Sequence, residues 1–213
     1  MSDRSAGTGR TTLLVLAKAP RPGHVKTRLS PTYSPQEAAG LAAAALADTL
    51  DVVAATPARR RILVLDGPPG PWLPSGIEVV AQAGSSLDER LAHAFSLARG
   101  PSLLVGMDTP QVTCDQLSVD WDGIDAWFGP AGDGGFWALG FAEPPHPRLL
   151  LGVPMSRTDT GTLQRARLVA AGLRVGDLPE LRDVDSPGDV ADVARQAPLG
   201  RFAARAADLL LSR

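Results

Sequence analysis

The sequence contains a single cysteine, Cys114, among its 213 residues. One thiol can form neither an internal disulfide nor a multi-cysteine metal site, and it fits a reducing compartment. The three histidines, His24, His93 and His146, are too scattered for a zinc motif. The polar opening MSDRSAGTGR lacks the apolar core of a signal peptide. We therefore expect a soluble, cytoplasmic protein.

The sequence also lacks any excess of positive charge and is poor in aromatic residues. The formal net charge is −2 and aromatic residues make up 5% of the chain. Neither a global field for nucleic acid or anionic membrane nor a base-stacking surface is expected. No run approaches the roughly 20 apolar residues of a membrane span, because Asp48 and Asp51 interrupt the alanine-rich stretch after Gly40. We expect no nucleic-acid partner and no membrane span.

Several familiar site motifs are missing too. There is no G-x-x-x-x-G-K-[ST], because the similar AGTGRTT precedes the first strand instead of following it. No G-x-G-x-x-G follows a strand, which argues against a simple dinucleotide site. No G-x-S-x-G elbow of a serine hydrolase is present.

The pattern that is present alternates strands and helices. Residues 1–213 are therefore expected to form a single α/β domain around one doubly wound mixed sheet, mostly parallel, with residues 1–10 as a polar tail. Two short aromatic segments, DAWFGPA and GGFWALGF, resemble paired strands. The other predicted strands are Thr12–Leu16, Arg61–Leu65, Ile77–Gln82, Ser102–Met107 and RVGDL. Helices are predicted after the capping pairs Ser34–Glu37 and Ser86–Glu89, after Ser186 with Pro187 in the first turn, and over Thr160–Ala171.

The last segment, Leu199 to Leu211, has an apolar side formed by Phe202, Ala206, Leu209 and Leu210. Such a stripe packs more often on its own chain than on a partner. The sequence leaves the choice between a monomer and a homodimer open.

A dense group of cations follows the first predicted strand. The loop AKAPRPGHVKTRLSP, Ala17 to Pro31, contains Lys18, Arg21, His24, Lys26 and Arg28. Cations on a proline-stiffened loop at the carboxyl end of a strand suit phosphate binding, with Lys26 and Arg28 as the stronger candidates. The alternative is a solvated surface loop with exposed cations.

Two carboxylates also follow predicted strands. Asp108 in GMDTP ends a buried strand, and Asp185 in DVDSPGDV precedes a helix. Carboxylates there suit a hard cation such as Mg²⁺ or Mn²⁺. Each has a simpler interpretation, since Asp108 could accept backbone hydrogen bonds and Asp185 could take part in helix capping with Ser186.

The segment GPAGDGGFWALG, Gly129 to Gly140, surrounds Asp133 with glycines. Glycines allow a backbone to approach a ligand closely, although they also serve a tight hairpin turn. The number of glycines favours a ligand.

LAKAPRPGHVKTRL, GMDTP, GPAGDGGFWALG and LPELRDVDSPGDV, in that order, resemble the rSAM/selenodomain-associated transferase 1 family over about Leu13 to Val193. The resemblance implies a bacterial glycosyltransferase of the nucleotide-diphospho-sugar transferase (GT-A) fold. The first loop and DVDSP are also similar to those of guanylyltransferases that share this fold.

The resemblance implies a role for each matching position. The basic loop would bind nucleotide phosphates, Asp108 would be catalytic with Asp133, and Asp108 and Asp185 would hold Mg²⁺ or Mn²⁺. The expected nucleotide and phosphate contacts are Ala17, Lys18, Lys26, Arg28 and Gly134. The sequence departs from the family at Gly106, where an Asp-x-Asp motif would place its first acid, and at Gly132.

These residues leave three functions open. The first is a metal-dependent glycosyltransferase with a nucleotide-sugar donor and an unknown small-molecule acceptor, met by residues from about Ala142 to Thr160. The second is a nucleotidyltransferase that binds a nucleoside triphosphate and releases pyrophosphate. The third, motivated by the missing Asp-x-Asp, is a protein that binds nucleotides without catalysis.

Overall fold

The computed structural model describes residues 9–211. The first eight residues of the predicted polar tail lie outside this range. The strands are β1 (Thr12–Lys18), β2 (Arg60–Asp66), β3 (Glu78–Ala81), β4 (Ser102–Gly106), β5 (Ala126–Pro130), β6 (Phe136–Phe141) and β7 (Val175–Asp177). The helices are α1 (Pro35–Ala55), α2 (Leu87–Ser96), α3 (Cys114–Leu117), α4 (Thr160–Ala170), α5 (Pro187–Gln196) and α6 (Arg201–Leu211).

All seven strands form one mixed sheet in the order β3-β2-β1-β4-β6-β5-β7. β1 pairs in parallel with β2 and β4, and β7 pairs in parallel with β5. β6 is antiparallel to both of its neighbours, β4 and β5. The prediction of a doubly wound, mostly parallel mixed sheet is confirmed.

The direction of chain growth reverses between β1 and β4. The chain moves outward from β1 through β2 to β3, and then returns to place β4 on the other side of β1. In open α/β sheets, ligands bind outside the carboxyl ends of the strands at such a switch point. Here those ends are Lys18 and Gly106, next to the basic loop and Asp108.

Helices cover both faces of the sheet. On one face, α1 packs on the strands through Leu46, Leu50 and Val53. On the other face, α2 and α4 contribute Leu91, Phe95 and Leu168. Helices α5 and α6 pack on the outer side of α1 in a third apolar cluster. This third layer covers surface of α1 that the sheet does not reach.

Helix α1 is more apolar than the sequence analysis allowed. It begins with the predicted capping box, in which Ser34 accepts from the Glu37 amide and Glu37 accepts from the Ser34 amide. By length and composition its 21 residues could cross a membrane, so the expectation that no segment reaches this threshold was wrong. However, 56% of its most apolar window is buried inside the fold, as in the core helix of a soluble protein.

Asp48, which interrupts the apolar stretch of α1, caps the start of α6. Its carboxylate accepts hydrogen bonds from the amides of Arg201 and Phe202, both at 2.9 Å, at the start of α6. A carboxylate there satisfies free amides and favours the positive end of the helix dipole. The apolar side predicted for α6 is buried at Phe202, Ala206 and Leu209, whereas Leu210 is 62% exposed.

We expect Asp48→Ala to destabilise the protein by about 1–2 kcal/mol, because the substitution leaves amides of α6 without their cap. Urea unfolding followed by circular dichroism measures the change. Asp51→Ala is the matched control: Asp51 is exposed and pairs with the Arg201 side chain rather than with amides of α6, so its loss is expected to cost less than about 0.5 kcal/mol. Equal losses in the two variants would contradict the capping role.

Candidate active site

Four segments rich in polar residues meet at one edge of the sheet. β1, β4, β5 and β7 run in the same direction, because β6 reverses direction between β4 and β5. Their carboxyl ends therefore lie on the same edge. They lead into the basic loop, Asp108, the glycine-rich segment around Asp133, and Asp183–Asp185, respectively.

Lys26 lies at the centre of this edge. Its Nζ is 2.9 Å from Asp108 Oδ1 and 3.2 Å from Asp185 Oδ1, and its side chain is only 7% exposed. The Lys26 backbone has φ 51°, a left-handed conformation that is uncommon for a lysine. Strained backbone of this kind persists where surrounding contacts determine it and often occurs at functional sites.

The buried Lys26 side chain keeps its positive charge. Burial by itself lowers the pKa of this lysine, but the Asp108 and Asp185 carboxylates more than offset the effect, so the pKa is raised above its usual value. The ammonium is therefore charged throughout the physiological range. The structure thus supplies one fixed, buried positive charge beside the carboxyl ends of β1 and β4.

The Asp185 segment is anchored to the loop after β4. The Val184 amide donates to the Asp108 carbonyl at 3.1 Å, and Gln111 Nε2 donates to the Arg182 carbonyl at 2.6 Å. Arg28 adds an ion pair from its Nη1 to Asp185 Oδ2 at 2.9 Å. These contacts bring distant parts of the sequence into one cluster.

A cavity of about 340 Å³ opens beside Lys26. We call it the cationic pocket, because its lining includes Lys18, Lys26, Arg28, Arg90 and His24 against the carboxylates of Asp108 and Asp185. Ala17, whose carbonyl accepts a hydrogen bond from Gln82 Nε2, also lines it. Four predicted nucleotide and phosphate contacts, Ala17, Lys18, Lys26 and Arg28, thus share one cavity.

Gln82 and Arg90 line the same pocket, although the sequence analysis did not select them. Arg90 Nη1 lies 3.3 Å from both Asp66 Oδ2 and Gln82 Oε1, which links the ends of β2 and β3 to α2. Arg90 lies in the segment QAGSSLDERL. The sequence around a helical arginine does not show whether its side chain lines a pocket or points into solvent.

The glycine-rich segment forms a tight turn that orients Asp133. The Gly134 amide donates to the Ala131 carbonyl at 3.0 Å, and the Gly135 amide donates to Asp133 Oδ1 at 2.7 Å. Gly134 has φ 87°, and a Cβ there would lie 1.9 Å from the Thr158 carbonyl oxygen. This glycine therefore allows close packing of two backbone segments. Its predicted contact with phosphate stays a prediction.

Asp133 joins Asp183 and Asp185 in a group of three carboxylates. One oxygen of each lies within 4.8 Å of the others. Burial, together with the neighbouring charges of Asp133 and Asp185, raises the pKa of Asp183 to about 6. Asp183 was missed in the sequence, because the pattern DVD does not reveal which acids face the site.

This group of carboxylates fits the divalent ion that the fold resemblance implies. Hard oxygen donors suit Mg²⁺ or Mn²⁺, and burial, together with the charges of Asp133 and Asp185, makes the ionised Asp183 carboxylate unfavourable without a bound cation. Asp185 belongs both to this group and to the pair bridged by Lys26. Asp108 pairs with the Lys26 ammonium and lies outside this group of three, and the assignments of Asp108 and Asp185 as metal ligands both stay predictions.

The sequence matches the model of a bacterial protein family over residues 39–157, more than half of the chain. That family is described as "Uncharacterized protein conserved in bacteria (DUF2064)". The chain belongs to this family. Comparison with curated proteins gives no match.

Solved structures place this family member within a known fold. A protein from Desulfovibrio desulfuricans G20, provisionally described as a nucleotide-diphospho-sugar transferase, is 29% identical, with a TM-score of 0.75 over 83% of this chain and 82% of that one. The 2-C-methyl-D-erythritol 4-phosphate cytidylyltransferase of Thermus thermophilus is 16% identical, with a TM-score of 0.52 over 89% of this chain and 100% of that one. The chain therefore has the nucleotide-diphospho-sugar transferase fold.

We expect Asp183→Asn to raise the melting temperature of the metal-free protein at pH 7.5, by a gain of about 1 kcal/mol after solvent screening. The folded pKa of Asp183, about 6, lies above its ordinary value of 3.8, so its ionisation weakens the folded state as the pH rises between these values. The gain is therefore complete above this folded pKa and disappears below the ordinary one. Differential scanning calorimetry in EDTA measures it.

The exposed Asp122→Asn is the control for the loss of one negative charge, and it is expected to change the melting temperature little. A lower melting temperature of Asp183→Asn at pH 7.5 would contradict an unfavourable charge on the half-buried Asp183 carboxylate.

We expect Gly134→Ala to destabilise the protein by more than about 2 kcal/mol, because the new methyl group meets the Thr158 carbonyl and the backbone has positive φ. Gly132→Ala in the same turn is the matched control. Its Cβ would come no closer than 3.7 Å to a described atom, and its φ is not in the left-handed region. Chemical denaturation measures both, and equal stability of the two variants would contradict this packing.

Proposed function

We propose that the protein is a metal-dependent transferase that uses a nucleotide-sugar donor and transfers the glycosyl group to a small-molecule acceptor. The proposal treats the chain as one transferase domain. It also assigns the chain to the rSAM/selenodomain-associated transferase 1 group, on the motifs around Lys26, Asp108, Asp133 and Asp185.

The observation that carries this proposal is the buried Lys26 ammonium at the carboxyl ends of β1 and β4. It stands at the topological switch point of the sheet and on the wall of a cavity with four lysine and arginine side chains. A fixed charge that needs no reorganisation is suited to a diphosphate group whose negative charge grows during the reaction. Because the net charge of the chain is −2, these cations are not part of a general positive charge, and their concentration at one cavity favours a local site for an anionic ligand.

In this mechanism, the cationic pocket binds the nucleoside diphosphate portion of the donor. Asp185, with Asp183, would hold Mg²⁺ or Mn²⁺, and the ion would neutralise charge on the leaving diphosphate. The acceptor hydroxyl oxygen forms a bond to the anomeric carbon while the bond from that carbon to the diphosphate oxygen breaks. Asp133 orients the hydroxyl and accepts its proton.

A nucleotidyltransferase is the second candidate, favoured by the density of cations in the first loop. Four lysine and arginine residues lie between Lys18 and Arg28, which suits the higher charge of a triphosphate. In that reaction, an oxygen of a phosphorylated substrate attacks the α-phosphorus, and pyrophosphate leaves.

A third function, nucleotide binding without turnover, predicts ligand binding that survives metal removal.

The proposal predicts that one nucleotide-sugar stabilises the protein only with Mg²⁺ or Mn²⁺. At about one hundred times its dissociation constant, the ligand adds roughly 2.7 kcal/mol, or about 5–10 °C in melting temperature. A panel of nucleotide-sugars and nucleoside triphosphates, scanned with metal and with EDTA, tests this. A shift confined to a triphosphate, with release of pyrophosphate, would contradict glycosyl transfer.

We expect Arg28→Met to reduce that shift by more than half, because it removes a cation from the pocket. Arg60→Met is the matched control, since Arg60 also pairs with a carboxylate, Glu78, but lies at the amino end of β2. Release of nucleoside diphosphate, followed by a coupled assay, gives a second readout. Equal shifts in both variants would remove the support for phosphate binding by the basic loop.

A further inference from the structure

A second cavity, of about 560 Å³, lies beside the cationic pocket, and we call it the apolar chamber. Its floor is the sheet itself, through Leu16 of β1, Leu104 of β4 and Phe136 of β6, and one wall is Leu87 and Leu91 of α2. Its volume is that of an ordinary small-molecule site. Apolar side chains that line an open cavity are stabilised when an apolar ligand displaces water from them.

Two features connect the chamber with the reaction. Asp108 and Asp185 line both cavities, so a group bound in one lies beside a group bound in the other. The opposite wall is formed by Ser156, Arg157 and Thr158, within the segment that the sequence analysis assigned to the acceptor. The chamber therefore has the position that an acceptor needs if the proposed function is correct.

Gly106 keeps part of the chamber open. It lies at the end of β4, and a Cβ added there would meet no described atom within 4 Å. Its backbone does not have the positive φ that would demand glycine. The space that the side chain of the first acid of an Asp-x-Asp motif would occupy is therefore empty of described atoms in this protein.

The charges of the two cavities differ in sign. The cationic pocket has four lysine and arginine residues against two aspartates. The chamber has four aspartates (Asp108, Asp133, Asp183 and Asp185) against two arginines among its described lining residues. Both arginines are already paired, Arg28 with Asp185 and Arg157 with Asp159 through two hydrogen bonds of 2.9 Å.

We propose that the acceptor is a small molecule with an apolar body and an uncharged hydroxyl, and that it is not a phosphate ester. The apolar body lies on Leu16, Leu104 and Phe136, and the hydroxyl points towards Asp133. With the donor bound, the divalent ion would be shared with a diphosphate whose negative charge is at least as large, so a phosphate in the chamber would still meet the carboxylates without a compensating positive charge, and like charges placed together oppose binding. This inference rests on the proposed function, because the chamber is an acceptor site only if the cationic pocket holds a donor.

Three probes of similar size test the chemistry. They are 2-phenylethanol, 2-phenylethyl phosphate and inositol, titrated by ligand-observed NMR against the protein with Mg²⁺ and the nucleoside diphosphate of the best donor. We expect 2-phenylethanol to bind at least about tenfold more tightly than the other two. Tighter binding of the phosphate ester or of inositol, or no binding of 2-phenylethanol, would overturn the proposal.

Gly106→Val tests the location of the probe. The valine side chain would project into the chamber, so 2-phenylethanol binding should be lost, whereas the metal-dependent shift with the nucleotide should remain because Gly106 does not line the cationic pocket. Gly9→Val, at an exposed position, is the control and should retain both. Probe binding that survives in Gly106→Val would overturn the assignment. If the nucleotide does not raise the melting temperature of the wild-type protein in the presence of metal, the proposed function itself is rejected.

Discussion

The site depends on one buried ammonium group. Lys26 joins the basic loop after β1 to Asp108 after β4 and to Asp185 before α5, and removing it would leave two carboxylates facing each other. A buried ion pair contributes little net stability, but breaking one by deleting a partner commonly costs about 3–5 kcal/mol. The cluster is therefore better understood as a device that fixes positions than as a source of stability, and it holds loops from distant parts of the sequence at one place.

This arrangement divides the edge of the sheet into two compartments of opposite character. Cations gather on the side of β2 and β3, with Arg90 held by Asp66 and Gln82. Carboxylates gather on the side of β5 and β7, where burial, together with the charges of Asp133 and Asp185, raises the pKa of Asp183. Asp185 belongs to both groups, so it lies at the boundary between the two compartments. A donor with an anionic end and an acceptor without one would each find a matching environment.

Much of this fold could be predicted because its local patterns agree with its tertiary structure. The apolar run before Lys18, the capping boxes at Ser34 and Ser86 and the proline after Ser186 all mark real element boundaries. Asp183, Gln82 and Arg90 were missed because their roles arise from packing between distant segments. Gly134 packs against the Thr158 backbone, a contact that no local pattern encodes, and its predicted contact with phosphate stays a prediction. The chamber is likewise invisible in sequence, since it is a gap between α2 and the segment before α4.

The most direct test of the account is anomalous diffraction from crystals grown with Mn²⁺ and the nucleoside diphosphate that stabilises the protein most. The account predicts one manganese peak in contact with Asp185 and with Asp133 or Asp183, and a diphosphate bound beside Lys26 and Arg28. A diphosphate bound elsewhere, or manganese absent from this edge of the sheet while the nucleotide is present, would contradict it.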